Sequence, residues 1–210
     1  MLFRSIRQAT YDDLGEIAKV HAQCFPRHLS TRIGSSNDCY LLSRFYKEFI
    51  DDSPELFVVA ADDSRKIVGF CMGYYFDKSG QQSNYIRHNR ARVLTRIAWL
   101  LLKGDRLAWA KLKLRFKKPH YEILDHSIDD IQKNEKGDLL SICTLAEYRG
   151  KGYAQRMIEE YLHRMKQNGR KICLLSLSVN NNRALRFYER NGFTPYRKIG
   201  TSSITYMKRL

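Results

Sequence analysis

Arg149, Gly150, Lys151 and Gly152 stand between an apolar run and a strongly periodic one in "AEYRGKGYAQRMIEEYLHRM" (146–165). Glycines remove side chains where the chain turns, and a helix opening directly behind them presents backbone N–H groups that lack intrahelical acceptors. With the positive end of the helix dipole behind them, such amides bind phosphate. The N–H groups from Gly150 to Ala154, Tyr153 included, are therefore a candidate phosphate cradle, in which Gly152 permits close approach and Ala154 is the smallest residue that still favours helix. The competing reading is an ordinary glycine-containing turn before a helix. Two other nucleotide loops do not fit: Gly150-Lys151 is not followed by Ser or Thr, and G-x-G-x-x-G is absent.

Other chemistry-bearing residue types give less. Cysteines 24, 39, 71, 143 and 173 form no C-x-x-C pair, and nothing before Tyr11 resembles a signal-peptide core, so a reducing cytoplasm is expected. Cys143 and Cys173 lie in apolar runs and read as buried strand residues. The six histidines show no metal spacing, and no metal is expected.

The elements that must hold this loop follow from periodicity. "TYDDLGEIAKVHAQCF" reads as a helix capped by Thr10 with Asp13 three residues on, Leu14, Ile17, Ala18 and His21 sharing a face. "YLLSRFYKEFIDD" gives a second, with Leu41, Leu42, Phe45, Phe49 and Ile50 inward. "ELFVVAA" and "KIVGFCMGYYF" flank turn residues 62–64 as an antiparallel hairpin. "DLLSICTLA" is a strand ending at the loop. Ala154, Met157, Ile158, Tyr161, Leu162 and Met165 trace the next helix, stopped by Asn168-Gly169. "KICLLSLSV" is a buried strand, "NNRALRFYERNGF" a short helix, and "SITYMKRL" a last strand. A single domain over 1–210 is expected: an α/β fold with a mixed sheet and helices on both faces.

This series resembles the GNAT superfamily of acetyl-CoA-dependent N-acetyltransferases. Arg149-x-x-Gly152-x-Ala154 fits that family's Gln/Arg-x-x-Gly-x-Gly/Ala loop, and Asn181 to Phe193 fits a second family stretch. "IRQATYDDLGEIAKVHAQCF" resembles its first strand and helix. The resemblance covers most of the chain outside about 78–136. It implies a mostly antiparallel sheet whose strand before the loop splays from the next, acetyl-CoA as co-substrate, and direct attack of a primary amine on the thioester. It also implies that Thr144 and Leu145 offer backbone groups to pantetheine, that Asn181 contacts the cofactor arm, and that Tyr188 protonates the departing thiolate. The other reading of Tyr188 is a packed aromatic. The family has no fixed base position. Glu122, Asp125, His126 and Glu147 are candidates, each equally a solvated surface residue, and the base stays unassigned.

The net charge is +15, and 78–120 holds twelve Lys or Arg against one acid, Asp105, together with both tryptophans. This basic helical insert, placed at about 78–136, puts Val93, Leu94, Ile97, Leu100 and Leu101 on one face and Arg92, Arg96, Trp99 and Lys103 on another. Its longest apolar stretch is too short to span a bilayer. Three readings stand: solvated charge on a helical hairpin packed against the domain, contact with anionic lipid at the inner membrane surface, and recognition of an anionic substrate or RNA. Nucleic acid is not the preferred partner. The expected activity is acetyl transfer to a small amine or an amino sugar of a nucleotide- or lipid-linked surface-polysaccharide precursor, with a protein amino terminus or lysine as the alternative acceptor. The rival is a non-catalytic acetyl-CoA-binding module that binds RNA or membrane.

Overall fold

The computed structural model describes residues 5–34, 39–115 and 120–210. The chain runs β1 (Ser5–Gln8), α1 (Leu14–Cys24), α2 (Leu29–Gly34), α3 (Tyr40–Asp52), β2 (Phe57–Ala61), β3 (Ile67–Tyr75), α4 (Gln81–His88), α5 (Arg90–Leu102), α6 (Arg106–Arg115) and β4 (Tyr121–Ile123). It continues with β5 (Lys136–Thr144), α7 (Tyr153–Gln167), β6 (Ile172–Ser178), α8 (Asn182–Arg190), β7 (Thr194–Ile199) and β8 (Ser203–Arg209).

The eight strands form one sheet in the order β1-β2-β3-β5-β6-β8-β7-β4. Every neighbouring pair is antiparallel except β5 with β6. β2 and β3 are buried almost throughout, which is why they read as unbroken apolar runs rather than as alternation. On one face Met157, Ile158, Tyr161 and Met165 of α7 pack with Val58, Val68, Cys71 and Cys173, and Tyr188 of α8 closes that layer. On the other, Ile17 and Val20 of α1 and Tyr46, Phe49 and Ile50 of α3 pack with Phe57, Val59, Phe70 and Met72. Cys143 and Cys173 are buried strand residues, as the sequence suggests.

The junction of β3 with β5 is closer than side chains allow. A Cβ at Gly73 would lie 1.8 Å from the Asp138 carbonyl oxygen. The register slips at the same place, between Met72 and Gly73, so that Leu140 is the extra residue of a bulge. A bulge bends its strand, and β5 leaves its parallel partner just before it, after Asp138. Thr10 and Asp13 cap the first turn before α1, and Arg7 holds the Asp13 carboxylate at 2.6 and 2.7 Å.

Three short elements differ from the sequence reading. α2, the edge strand β4 and its neighbour β7 are additional. The insert is helical over 81–115 and then returns to the sheet, where β4 pairs with β7. Leu94, placed inward by periodicity, is 52% exposed. Val93 and Leu100 take the buried side of α5 and Ala108 that of α6.

Candidate acyl-transfer cleft

β5 and β6 pair only through Lys136↔Ile172, Gly137↔Cys173 and Asp138↔Leu174. Beyond Asp138 they part, while β5 stays bound to β3 and β6 to β8. The gap is a cleft of about 920 Å³, walled by Leu140 to Thr144 on one strand and Ser176 to Ser178 on the other. Strand groups on both walls thus face the cleft instead of each other.

The loop closes one end. Gly150 and Gly152 have φ of 76° and 83°, a region that costs side-chain-bearing residues strain, and Gly152 is the N-cap of α7. The first intrahelical bond there runs from Arg156 N–H to the Gly152 carbonyl. The first turn contains no acid, so the helix dipole meets nothing that competes with a bound anion. The loop is also braced: the Tyr148 hydroxyl donates to Asp62 at 2.7 Å, Arg149 Nε donates to the Thr144 carbonyl at 3.3 Å, and Lys151 Nζ lies 5.0 Å from the Tyr148 ring centroid.

Of the residues singled out from the sequence, Thr144, Arg149, Gly150, Gly152, Tyr153, Ala154, Asn181 and Tyr188 line the cleft. Leu145 and Lys151 are not on its wall. The Leu145 N–H donates to the Val68 carbonyl at 2.8 Å and its carbonyl accepts from Tyr148 at 3.0 Å, so both of its backbone groups serve the fold. Asn181 caps α8, its side-chain oxygen accepting from Ala184 N–H at 3.2 Å. The Thr144 hydroxyl is buried in the cleft wall with no hydrogen-bond partner among the described residues. That orphan suits a site whose remaining partner is a polar ligand.

Tyr188 is 7% exposed and packed against Phe187 and Phe193 at 5.4 and 5.6 Å between ring centroids. Burial pushes its phenol well above the ordinary value, so it keeps its proton at neutral pH. None of Glu122, Asp125, His126 and Glu147 borders the cleft. Glu122 pairs with Lys198 on the far edge of the sheet, and His126 with Asp129 at 2.7 Å.

The opposite end of the cleft lies between α1, α2 and α3 and was not foreseen. His21, Phe25, His28, Phe45 and Tyr46 build an aromatic wall, with His21 to Phe25 at 5.0 Å and Phe25 stacked on His28 at 4.9 Å. Burial lowers the His21 pKa to about 4, so the ring is neutral at pH 7, with Nδ1 2.5 Å from the Tyr46 hydroxyl and Nε2 3.1 Å from the Ser30 hydroxyl. Cys24 is held below the ordinary thiol value by a hydrogen bond with Cys143, whose own thiol burial pushes up. Among the described residues, no Asp or Glu lines the cleft, whereas Arg149, Arg183 and Arg190 do.

Asp138 was missed as well. It is the last residue of β5 to pair with β6, and its carboxyl, pushed up to about 7 by burial, is hydrogen-bonded by the Tyr74 phenol with Arg197 nearby. Tyr74 packs in the same cluster as Phe45, Tyr46 and Leu140, which face the cleft. A carboxylate opening the otherwise apolar run "DLLSICT" was the available signal.

A sequence model of the acetyltransferase (GNAT) family matches residues 16–193. Over 78 residues the chain is 32% identical to N-alpha-acetyltransferase 30 of Schizosaccharomyces pombe, covering 34% of this chain and 52% of that one. Over 155 residues it is 26% identical to the uncharacterized N-acetyltransferase MJ1207 of Methanocaldococcus jannaschii, covering 73% and 60%. The matched part thus spans between half and two thirds of these relatives' length. The fold is that of PaiA N-acetyltransferase from Thermoplasma acidophilum, solved in complex with coenzyme A: TM-score 0.58 and 17% identity over 99% of each chain.

Proposed function

The chain belongs to the acetyltransferase (GNAT) family, and from that premise we propose that it moves the acetyl group of acetyl-CoA to a primary amine, by direct attack in a ternary complex. The observation that carries this reading is the parting of β5 and β6 beyond Asp138, which leaves a cleft with the glycine-rich start of α7 at one end and Tyr188 on its wall. The amides from Gly150 to Ala154 hold the pyrophosphate, with Arg149 supplying charge. The Thr144 hydroxyl meets a polar atom of the pantetheine arm. Tyr188 holds a proton for the departing thiolate, because its buried phenol stays protonated where that thiolate forms.

The attacking amine must first lose a proton. Asp138 lies just outside the cleft wall, so it takes that proton through an intervening water, and a carboxyl that titrates near 7 is matched to the task. Its effect depends on Tyr74, whose phenol donates to the ionised carboxylate.

The acceptor end is aromatic and carboxylate-free, which disfavours polyamines and lysine-rich tails and suits an amine whose remainder is neutral or anionic. A small amine or an amino sugar carried on a diphosphate fits both this cleft and the excess of positive charge. A protein amino terminus is the second reading, supported by the 32% identity with N-alpha-acetyltransferase 30 over 78 residues. Thiol release from acetyl-CoA, measured with an amino sugar nucleotide, an arylalkylamine, a short peptide and spermidine, separates them. Fastest turnover with spermidine overturns the acceptor assignment, and no acetyl-CoA binding by calorimetry overturns the enzyme reading itself.

A further inference from the structure

The helices α4 to α6 carry a surface outside the cleft, whose wall takes only Gln82 from them. Six of the eleven large apolar side chains exposed among the described residues lie here: Ile86, Leu94, Trp99, Leu102, Trp109 and Leu112. On α5, Leu94, Ala98 and Leu102 are spaced four apart, all exposed, and Leu102 is 87% exposed at the end of the helix. The opposite side of α5 is used already, since Val93 and Leu100 are buried there. This helix therefore has two apolar stripes, and only one meets the protein.

Cations border the second stripe. Arg96 and Lys103 lie on the Trp99 ring at 4.2 and 4.1 Å from its centroid, and Arg106 and Lys113 are exposed on α6. The helices are fixed in place while presenting this face. Arg32 of α2 pairs with Asp105, Arg96 Nε donates to the Arg32 carbonyl at 3.2 Å, and His88 of α4 meets Glu48 of α3 at 2.9 Å. With Asp105 engaged and no other acid in 78–120, the exposed face carries uncompensated positive charge.

We infer that this α5–α6 face docks on an anionic phospholipid surface, with Leu94, Leu102 and Trp99 entering the headgroup layer and the flanking Arg and Lys meeting phosphate. Charge alone fits nucleic acid equally well. What selects lipid is the aliphatic ridge, because an exposed leucine at the tip stacks on no base but is buried favourably among acyl chains. Attachment is peripheral: among the described residues no helix is long and apolar enough to cross a membrane. Gln82 of α4 lines the cleft, so the helix that precedes this face reaches the acyl-transfer site.

Both tryptophans of the chain, Trp99 and Trp109, sit on these helices, so tryptophan emission, excited selectively over that of the tyrosines, reports on them alone. Vesicles of phosphatidylcholine mixed equally with phosphatidylglycerol are expected to sediment the protein and shift its emission to the blue. Vesicles of phosphatidylcholine alone are expected to do neither, and added salt to release it, since exposed charges are screened over about 10 Å at about 0.1 M. The Leu94→Ser/Leu102→Ser variant and the Lys103→Glu/Arg106→Glu/Lys113→Glu variant should each lose at least about tenfold in partitioning. Both should keep acetyl transfer to a soluble amine, which separates failure of docking from failure of the enzyme reading. No capture of the unaltered protein by anionic vesicles overturns the inference. So does capture that the leucine variant retains in full, which would mean diffuse adsorption of charge, and so does tighter binding to single-stranded RNA that is indifferent to the leucines.

Discussion

Helices α7 and α5 are both amphipathic by sequence, yet they end in opposite situations. α7 buries Tyr153, Met157, Ile158, Tyr161 and Met165 against the sheet and turns its start toward the cleft. α5 buries Val93 and Leu100 and leaves Leu94, Ala98 and Leu102 in water. Periodicity reports which residues share a face, and it is silent on what lies opposite. For α7 the strands on either side in sequence supply that partner directly. For α5 the neighbours in sequence are other helices of the same basic segment, and one apolar stripe is left uncovered.

The contrast breaks first if the start of α7 is not where acetyl-CoA binds. Gly152→Val places a branched side chain at φ 83°, and acetyl-CoA affinity measured by calorimetry should fall about a hundredfold or more. Gly152→Ala, less bulky, should fall in between, and circular dichroism checks that both remain folded. Unchanged affinity in a folded variant removes the loop from the site.

Tyr188→Phe tests whether the wall beneath α8 does chemistry or only packs. kcat should drop about a hundredfold with little change in acetyl-CoA affinity. A loss expressed in binding alone would return Tyr188 to the core.

Asp138→Asn should lower turnover about tenfold at neutral pH and remove an ascending limb of the pH–rate profile near 7. The same variant carries a stability signature. The folded pKa is raised above the ordinary value, so the native state holds this proton to higher pH than the unfolded chain does. Stability from this group is full below about 4 and is lost as pH rises toward about 7. Denaturant unfolding of the variant should therefore show a flatter pH dependence across that window.

Thr144→Val sharpens the comparison at the scale of one atom. Removing an unpartnered buried hydroxyl should raise the stability of the ligand-free protein by about 1 kcal/mol while weakening acetyl-CoA. Stabilisation without weaker binding would leave the hydroxyl with no ligand to meet. The smallest effect is expected on the other helix. Leu102→Ser should change stability by less than about 0.5 kcal/mol and leave kcat with a soluble amine intact. A large loss there would mean that the ridge is covered within the protein itself.

The central elements were legible because their periods are strong and their partners are close in sequence. The β2–β3 hairpin, β5, α7, β6, α8 and β8 follow the expected order, and the glycine-rich loop opens α7 where its composition puts it. The outer sheet did not announce itself. β4 is three residues long and wholly exposed, and β7 contains Pro195, Arg197 and Lys198. Such segments become strands only because β8 offers an edge to β7 and β7 in turn offers one to β4.

Half of the cleft was readable for the same reason. Gly152, Ala154, Thr144 and Tyr188 belong to one continuous stretch whose spacing is fixed by strand, loop and helix. The other half joins residues that no local pattern connects. His21 and Tyr46 are twenty-five positions apart and meet at 2.5 Å because α1 and α3 pack on the same face of the sheet. Asp138 is by sequence a polar residue near the start of a strand, and only the pairing shows it to be the last contact of β5 with β6 before the two strands part. Sequence alone determined the secondary structure of the core, the glycine-rich loop before α7 and the excess of positive charge, since each depends on neighbours along the chain. Which carboxyl is withdrawn from water, which walls face one another and which apolar stripe is left exposed were decided by tertiary packing, because burial belongs to whatever the fold brings opposite a residue.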